Sequence, residues 1–204
     1  TVESNNIHTG VTAILPHTGN MFKDKVVSAV YSYNGYGKSM GLVQVEEMGT
    51  VETPILLTNT LNIGKVSDGL VSYMLKDNPE IGVTTSTVNP LVLECNDGSI
   101  SQTQNRILDE THVFEAINNA SDDFLEGAIG AGTGMRCNGF KSGIGSSSRV
   151  IKIKDKEYVI GVLVNSNYGA SNGSELIFNG RRLGGLIKDY NLAHEEDKGS
   201  IIIV

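Results

Sequence analysis

The sequence has no tryptophan, and aromatic side chains make up only 6% of its 204 residues. Its core must therefore be aliphatic, filled mainly by Val, Ile and Leu. Proline is scarce, at 4 residues, beside 24 glycines. Excess glycine without proline points to tight turns and close backbone approach rather than disorder. Cations are the minority charge: 16 Lys and Arg face 23 Asp and Glu, for a formal net charge of −7. With no basic run to offset it, that balance argues against a nucleic-acid partner. No apolar run reaches the roughly 18 residues that a membrane span requires, so no membrane partner is expected. Two cysteines, Cys95 and Cys137, cannot make a disulfide scaffold. They read as small buried residues of a reducing compartment, with one disulfide as the alternative. None of His8, His17, His112 and His194 has a His, Cys or carboxylate partner at metal-ligand spacing, so no metal site is expected.

What is present fits one domain over residues 1–204, with a sizeable core and an ordinary hydrophobic content of 39%. Thr1 stands where an initiator Met would, so an N-terminal segment is expected to have been removed. A lost signal peptide would place the protein in the periplasm; otherwise the cytoplasm is expected. Strands are predicted at Thr9 to Leu15, Val26 to Tyr33, Leu42 to Glu46, Leu91 to Glu94, Val150 to Ile153, Tyr158 to Val164 and Glu175 to Phe178. The second and third read as a hairpin joined by the loop around Asn34-Gly35-Tyr36-Gly37. From Ile55 to Leu75, Leu57, Leu61, Val66, Leu70 and Met74 recur at helical spacing and predict one or two helices, stopped by Asp77-Asn78-Pro79. Thr111 is read as the cap of another helix, and 127–148 as a Gly-dense loop. The pattern suggests helices packed on antiparallel or mixed sheets.

Two near-motifs fail on context. Ser32 to Ser39 lacks the first glycine of a phosphate-binding loop, and strand, not helix, is expected after it. Gly130, Gly132 and Gly134 come close to a dinucleotide fingerprint but follow the acidic stretch Asp122 to Glu126 rather than a hydrophobic strand. A third feature is more informative. Gly199-Ser200 opens the aliphatic run Ile201-Ile202-Ile203-Val204, which reads as a buried strand. A domain should not end inside its own core strand, so the chain is expected to be incomplete. Gly-Ser before a strand is most often a turn. If the bond between them is cut, however, Ser200 holds a hydroxyl nucleophile and an α-amine base in one residue. The acidic run Glu195-Glu196-Asp197 just before it suggests an exposed loop that could be cut. Asn165 to Gly169 (NSNYG) follows an apolar strand and could form a turn or supply an oxyanion donor. Glu94 ends its strand as a solvated edge carboxylate or as a group that binds a cationic amine.

Several strings then converge: ETPILLTNTL from Glu52, ECNDG from Glu94, GAGTGMRCNGFKSGIGSSSR from Gly130, VLVNSNYG from Val162 and GSIIIV from Gly199. On these strings the chain closely resembles the DmpA-type aminopeptidases, also called L-aminopeptidase/D-esterase or β-aminopeptidase enzymes, over nearly its whole length. The resemblance implies an α+β fold, a four-layer αββα sandwich shared with ornithine acetyltransferases. It implies a precursor that cuts itself at Gly199–Ser200 into an α piece ending at Gly199 and a β piece starting at Ser200. Both ends of 1–204 then look incomplete. Ser200 would be the nucleophile, Asn167 the oxyanion donor and Glu94 the binder of the substrate amine, with no cofactor and no metal. Asn96 stands where the family often has an aromatic or aliphatic residue of the specificity pocket, so it is carried as a substrate-binding candidate. The implied activity releases an N-terminal amino acid from peptides, amides or esters through an acyl-enzyme. The implied partners are a small peptide, amide or ester substrate, the rest of the β piece, and further copies in a tetramer of αβ units. A catalytically inactive homologue serving in binding or structure, or an acyltransferase of the same fold, are the alternatives.

Overall fold

The computed structural model describes residues 1–169, 173–174, 176–183, 186 and 199–204. The expectations for His194, for Glu195-Glu196-Asp197 and for Glu175 lie outside the described residues. Nine elements position the site: β1 (Thr12–Ile14), α1 (Leu42–Met48), β2 (Ile55–Asn59), α2 (Ile63–Asp77), β3 (Leu91–Cys95), α3 (Glu110–Asn118), β4 (Ile144–Ile153), β5 (Lys156–Asn167) and β6 (Ser200–Ile203).

α2 forms because Val66, Leu70 and Met74 recur every fourth residue and all three are buried. It ends where the Asn78 side-chain amide donates to the Met74 carbonyl at 2.9 Å, just before Pro79. α3 lies against it, with Val113 and Ile117 buried. Gly69 makes the close approach possible, since a Cβ there would come within 3.0 Å of the Val113 side chain. The α3 cap is Asp109 and not Thr111 as the sequence suggested. The Asp109 carboxylate accepts from the Thr111 and His112 N–H groups, while His112 reaches back in a capping box.

The two helices cover one face of a mixed sheet in the order β1-β2-β3, with β1–β2 antiparallel and β2–β3 parallel. Alternation sorts its side chains. Leu56 and Val92, paired in register, face the helices. Leu57 and Cys95 face the other way, onto Met135, Ile144 and Ile202. That second core lies between the mixed sheet and an antiparallel one, ordered β4-β5-β6. Among the described residues, helices, mixed sheet and antiparallel sheet thus stack as three layers, α, β and β, of the four expected for an αββα sandwich, in an α+β fold. Beyond its base the β4–β5 hairpin continues as an arm with Val150, Tyr158, Val159 and Ile160 exposed.

Three strand or helix expectations are overturned. Leu42–Met48 is helix, so the proposed hairpin does not exist. Only Val26–Val27 of its first strand is extended, and it pairs with Thr50–Val51. Gly41 begins the helix at φ +90, a conformation other residues rarely adopt. Leu42 and Val45 then turn inward three residues apart. Ile55–Asn59 is a strand and not the start of a helix, because Leu56 and Leu57 are both fully buried, one in each core. The Gly-dense segment is only partly loop, since β4 already begins at Ile144. The final run is indeed a strand, but only one face of it is buried: Ile202 is 8% exposed, against 46% for Ile201 and 64% for Ile203.

Candidate active site

β6 pairs antiparallel with β5 so that Ser200 lies opposite Asn167. On the facing sheet, β3 runs out at Cys95, and the chain turns through Asn96 toward Gly98. At this junction Ser200 Oγ accepts a hydrogen bond from the Asn96 backbone N–H at 3.0 Å and another from Asn167 Nδ2 at 3.3 Å. Asn167 Nδ2 also donates to the Asn96 carbonyl at 2.7 Å. The structure therefore brings Ser200, Asn167 and Asn96 together from three distant segments.

The orientation of the Asn167 amide follows from the Gly-dense segment. The Arg136 N–H donates to Asn167 Oδ1 at 3.2 Å, which turns Nδ2 toward Ser200. The same segment grips the neighbouring residues. Asn138 N–H donates to the Tyr168 carbonyl at 2.8 Å, and Ser142 Oγ to the Ser166 carbonyl at 2.6 Å. The end of β5 is thus clamped over three consecutive residues.

Gly199, immediately before the nucleophile candidate, is pressed onto this clamp. A Cβ at Gly199 would come within 2.5 Å of Tyr168 Cα and Cβ and 2.8 Å of the Asn167 carbonyl oxygen. Only glycine fits there without a shift of backbone.

Glu94 is 8% exposed, so the reading as a solvated edge carboxylate does not hold. One of its oxygens accepts the Lys38 N–H at 3.0 Å and the other the Thr60 hydroxyl. Among the described residues no cationic side chain pairs with it. Its loop partner, residues 32–39, is the stretch that resembled a phosphate-binding loop. Here that loop supplies a backbone N–H to a carboxylate, and the following helix begins only at Leu42.

The Asn96 side chain is exposed and turns back on its own loop. Its Oδ1 accepts the Gly98 N–H at 2.8 Å, and only its backbone touches Ser200. Cys95, free and fully buried, lies beside Ser200. Burial pushes its thiol up to about 12, against the pull of a hydrogen bond with Ser200. A thiol held neutral in this way is a poor nucleophile.

Sequence reasoning assigned no role to Thr60, Asn59, Asp97 or the N–H groups of Lys38, Asn96 and Arg136. Backbone donors carry no residue-type signal. Asn59 and Thr60 stood in one of the strings quoted above, without a chemistry attached to them.

A model described as peptidase family S58 matches residues 1–204. A β-peptidyl aminopeptidase, BapA, of Sphingosinicella xenopeptidilytica is 34% identical over 207 residues, covering 96% of this chain and 51% of that protein. Among solved structures, the PH0078 protein of Pyrococcus horikoshii OT3 is 50% identical with a TM-score of 0.89, over 97% of this chain and 54% of that one. The L-aminopeptidase D-Ala-esterase/amidase of Ochrobactrum anthropi, described as a variant of the Ntn hydrolase fold, is 27% identical with a TM-score of 0.76, over 91% and 57%. The chain spans about half the length of the curated relatives it matches, 40% and 51% of them.

Proposed function

The chain belongs to peptidase family S58, and from that premise we propose that it carries the nucleophile of a self-processing N-terminal serine aminopeptidase. The observation that carries the reading is the convergence of the Asn96 N–H and Asn167 Nδ2 on Ser200 Oγ, directly after a glycine whose place a larger residue could take only by shifting the backbone.

In the uncut chain the Ser200 nitrogen is an amide. Attack of Ser200 Oγ on the Gly199 carbonyl, with transfer of its proton to the departing nitrogen, breaks the C–N bond and forms an ester. Water then opens the ester, releasing the Gly199 carboxylate and regenerating the hydroxyl. Ser200 now has the α-amine that was missing. In turnover that amine accepts the hydroxyl proton while Oγ attacks the first carbonyl of the substrate. Asn167 Nδ2 donates to the oxyanion, the leaving amine departs protonated, and water hydrolyses the acyl-enzyme. Glu94, a buried carboxylate without a cationic side-chain partner among the described residues, is suited to hold the substrate's free ammonium group. The names of the relatives support amino-acid amides, esters and β-peptides as the substrate classes.

The departure from the family's usual residue at Asn96 would favour an inactive homologue only if that side chain were needed for the chemistry. The side chain is engaged with Gly98, and the atoms Asn96 sets against Ser200 are backbone atoms that any residue supplies. The remaining β piece and a tetramer of αβ units complete the proposal. No helix among the described residues is long and apolar enough to cross a membrane, and a cytoplasmic site of action is proposed.

The complete precursor and its Ser200→Ala variant, purified and compared by intact mass, test the processing step. Wild type is expected to yield two pieces with Ser200 as a new N-terminus, and the Ala variant to stay whole. Equal cleavage of both removes Ser200 as the agent.

A further inference from the structure

We propose that Asp97 is a positioning residue for this site, acting through the Asn96 peptide. The inference rests on the function proposed above. Asn96 is the hub of the site: its N–H holds Ser200 Oγ and its carbonyl holds the Asn167 amide. Yet Asn96 itself is exposed, and its side chain bonds only to a turn two residues on. A hub must be held by something rigid to serve catalysis, because small displacements of reacting groups are costly.

Asp97 is the next residue, and it is fully buried. Asn59 Nδ2 donates to both its carboxylate oxygens, at 3.1 and 3.0 Å. Asn59 is in turn fixed through Oδ1, which accepts from Asn62 N–H at 3.1 Å and Asn62 Nδ2 at 2.7 Å. These residues sit where β2 passes into α2, so the carboxylate is anchored to the layer beneath the site. The Asp97 carbonyl accepts from Ile100 and Ser101 N–H groups at 3.0 and 2.9 Å, which locks the turn from its other side.

A second contact ties Asp97 to the opposite half of the site. Gly134 packs on it so closely that a Cβ there would come within 2.5 Å of Asp97 Cβ and 2.3 Å of the His8 carbonyl oxygen. Two residues further along, Arg136 N–H orients Asn167. The Asp97 side chain is therefore the place where the Asn96 turn and the Asn167 clamp are registered against each other. Its role is separate from that of Glu94, so it should govern the chemical step and not the hold on the amine.

The test uses the complete processed enzyme with L-alanine and β-alanine p-nitroanilides. Asp97→Asn keeps the shape and removes one acceptor. It is expected to lower kcat by about 10–100-fold with KM changed by less than about twofold. The exchange variant Asn59→Asp/Asp97→Asn rebuilds the amide–carboxylate pair in reverse, with the new carboxylate still able to accept from Asn62, and is expected to recover most of the lost kcat. A purely structural role predicts lost thermal stability without this kcat-selective loss. Wild-type kcat in folded Asp97→Asn, or no recovery in a folded exchange variant, overturns the proposal. Should Asp97→Asn fail to fold, Asn59→Ser takes its place, freeing the carboxylate from the Nδ2 group that holds both its oxygens without removing it; an unchanged kcat there overturns the proposal equally. A wild-type enzyme that hydrolyses neither anilide overturns the proposed function, and this inference with it.

Discussion

Asn167 divides its amide between two tasks. Its oxygen is occupied by the Arg136 N–H, which leaves the NH2 group for Ser200 and the Asn96 carbonyl. On the proposed mechanism this amide is the oxyanion donor, and a donor pre-aimed in this way contributes mainly in the transition state. Asn167→Ala is expected to lower kcat by about 10²–10³-fold, measured at saturating substrate in processed enzyme. Glu94→Gln keeps the shape and loses the charge. It should raise KM for free-amine substrates and narrow the kcat/KM ratio between a substrate and its N-acetyl analogue, a ratio that a matched pair reads directly. Cys95 offers a third check. Its burial and raised pKa predict that, in native protein, iodoacetamide labels it far more slowly than the less buried Cys137, as peptide mass mapping will show. At this scale the sequence was legible where a side chain carries the proposed chemistry: two such candidates, Ser200 and Asn167, lie within hydrogen-bond distance of each other. It was silent where a peptide N–H does, since every residue but proline has one.

Helices and strands were legible where burial is one-sided. Val66, Leu70 and Met74 announced α2 because only one stripe of that helix is covered. Ile55–Asn59 misled because a strand buried on both faces is continuously apolar, and such a run fits a helical template as well as an extended one. Leu42–Met48 misled because two positive-φ glycines, Gly41 and Gly49, decide its conformation, and backbone angles are not written in an apolar pattern. The junction between these elements depends on Glu52, which is 4% exposed and accepts from Lys25 Nζ and, at 2.9 Å, from the Asn89 N–H. Burial alone would raise its pKa, but the hydrogen bonds from Lys25, Gln44 and Asn89 outweigh it and hold the carboxyl below its ordinary value of 4.5. A depressed carboxyl contributes stability that is complete above the unfolded-state pKa and is lost as pH falls through the folded one. Glu52→Gln should therefore cost about 1–3 kcal/mol near neutral pH. The gap from wild type, measured by urea unfolding, should close as the pH is taken below about 4.

The whole molecule shows which layers depend on each other. Leu70 and Val113 seal the helices to the mixed sheet on the face away from Ser200, so Leu70→Ala should lower stability by about 2–5 kcal/mol. In protein kept well below its melting temperature, kcat should be unaffected. The α+β class and the sandwich of layers were legible from the resemblance. The antiparallel arm reaching out from β4 and β5 was not, because its exposed apolar residues look like core on paper.

The hydrogen bonds at Ser200 Oγ join residues 104 and 33 positions away in sequence. Contacts of that span close late, after local structure has formed. On the proposed mechanism the chain cannot cut itself until both sheets have docked, and Gly199 has been pushed onto Tyr168. The cut then acts as a proofreading step: a misfolded copy keeps its Ser200 nitrogen locked in an amide and stays inert, without any outside factor to inspect it. In refolding from denaturant, the precursor should show a lag before the two pieces appear. That lag should lengthen in proportion as folding is slowed by residual urea. Cleavage that starts at full rate in unfolded chain would remove the link between assembly and activation.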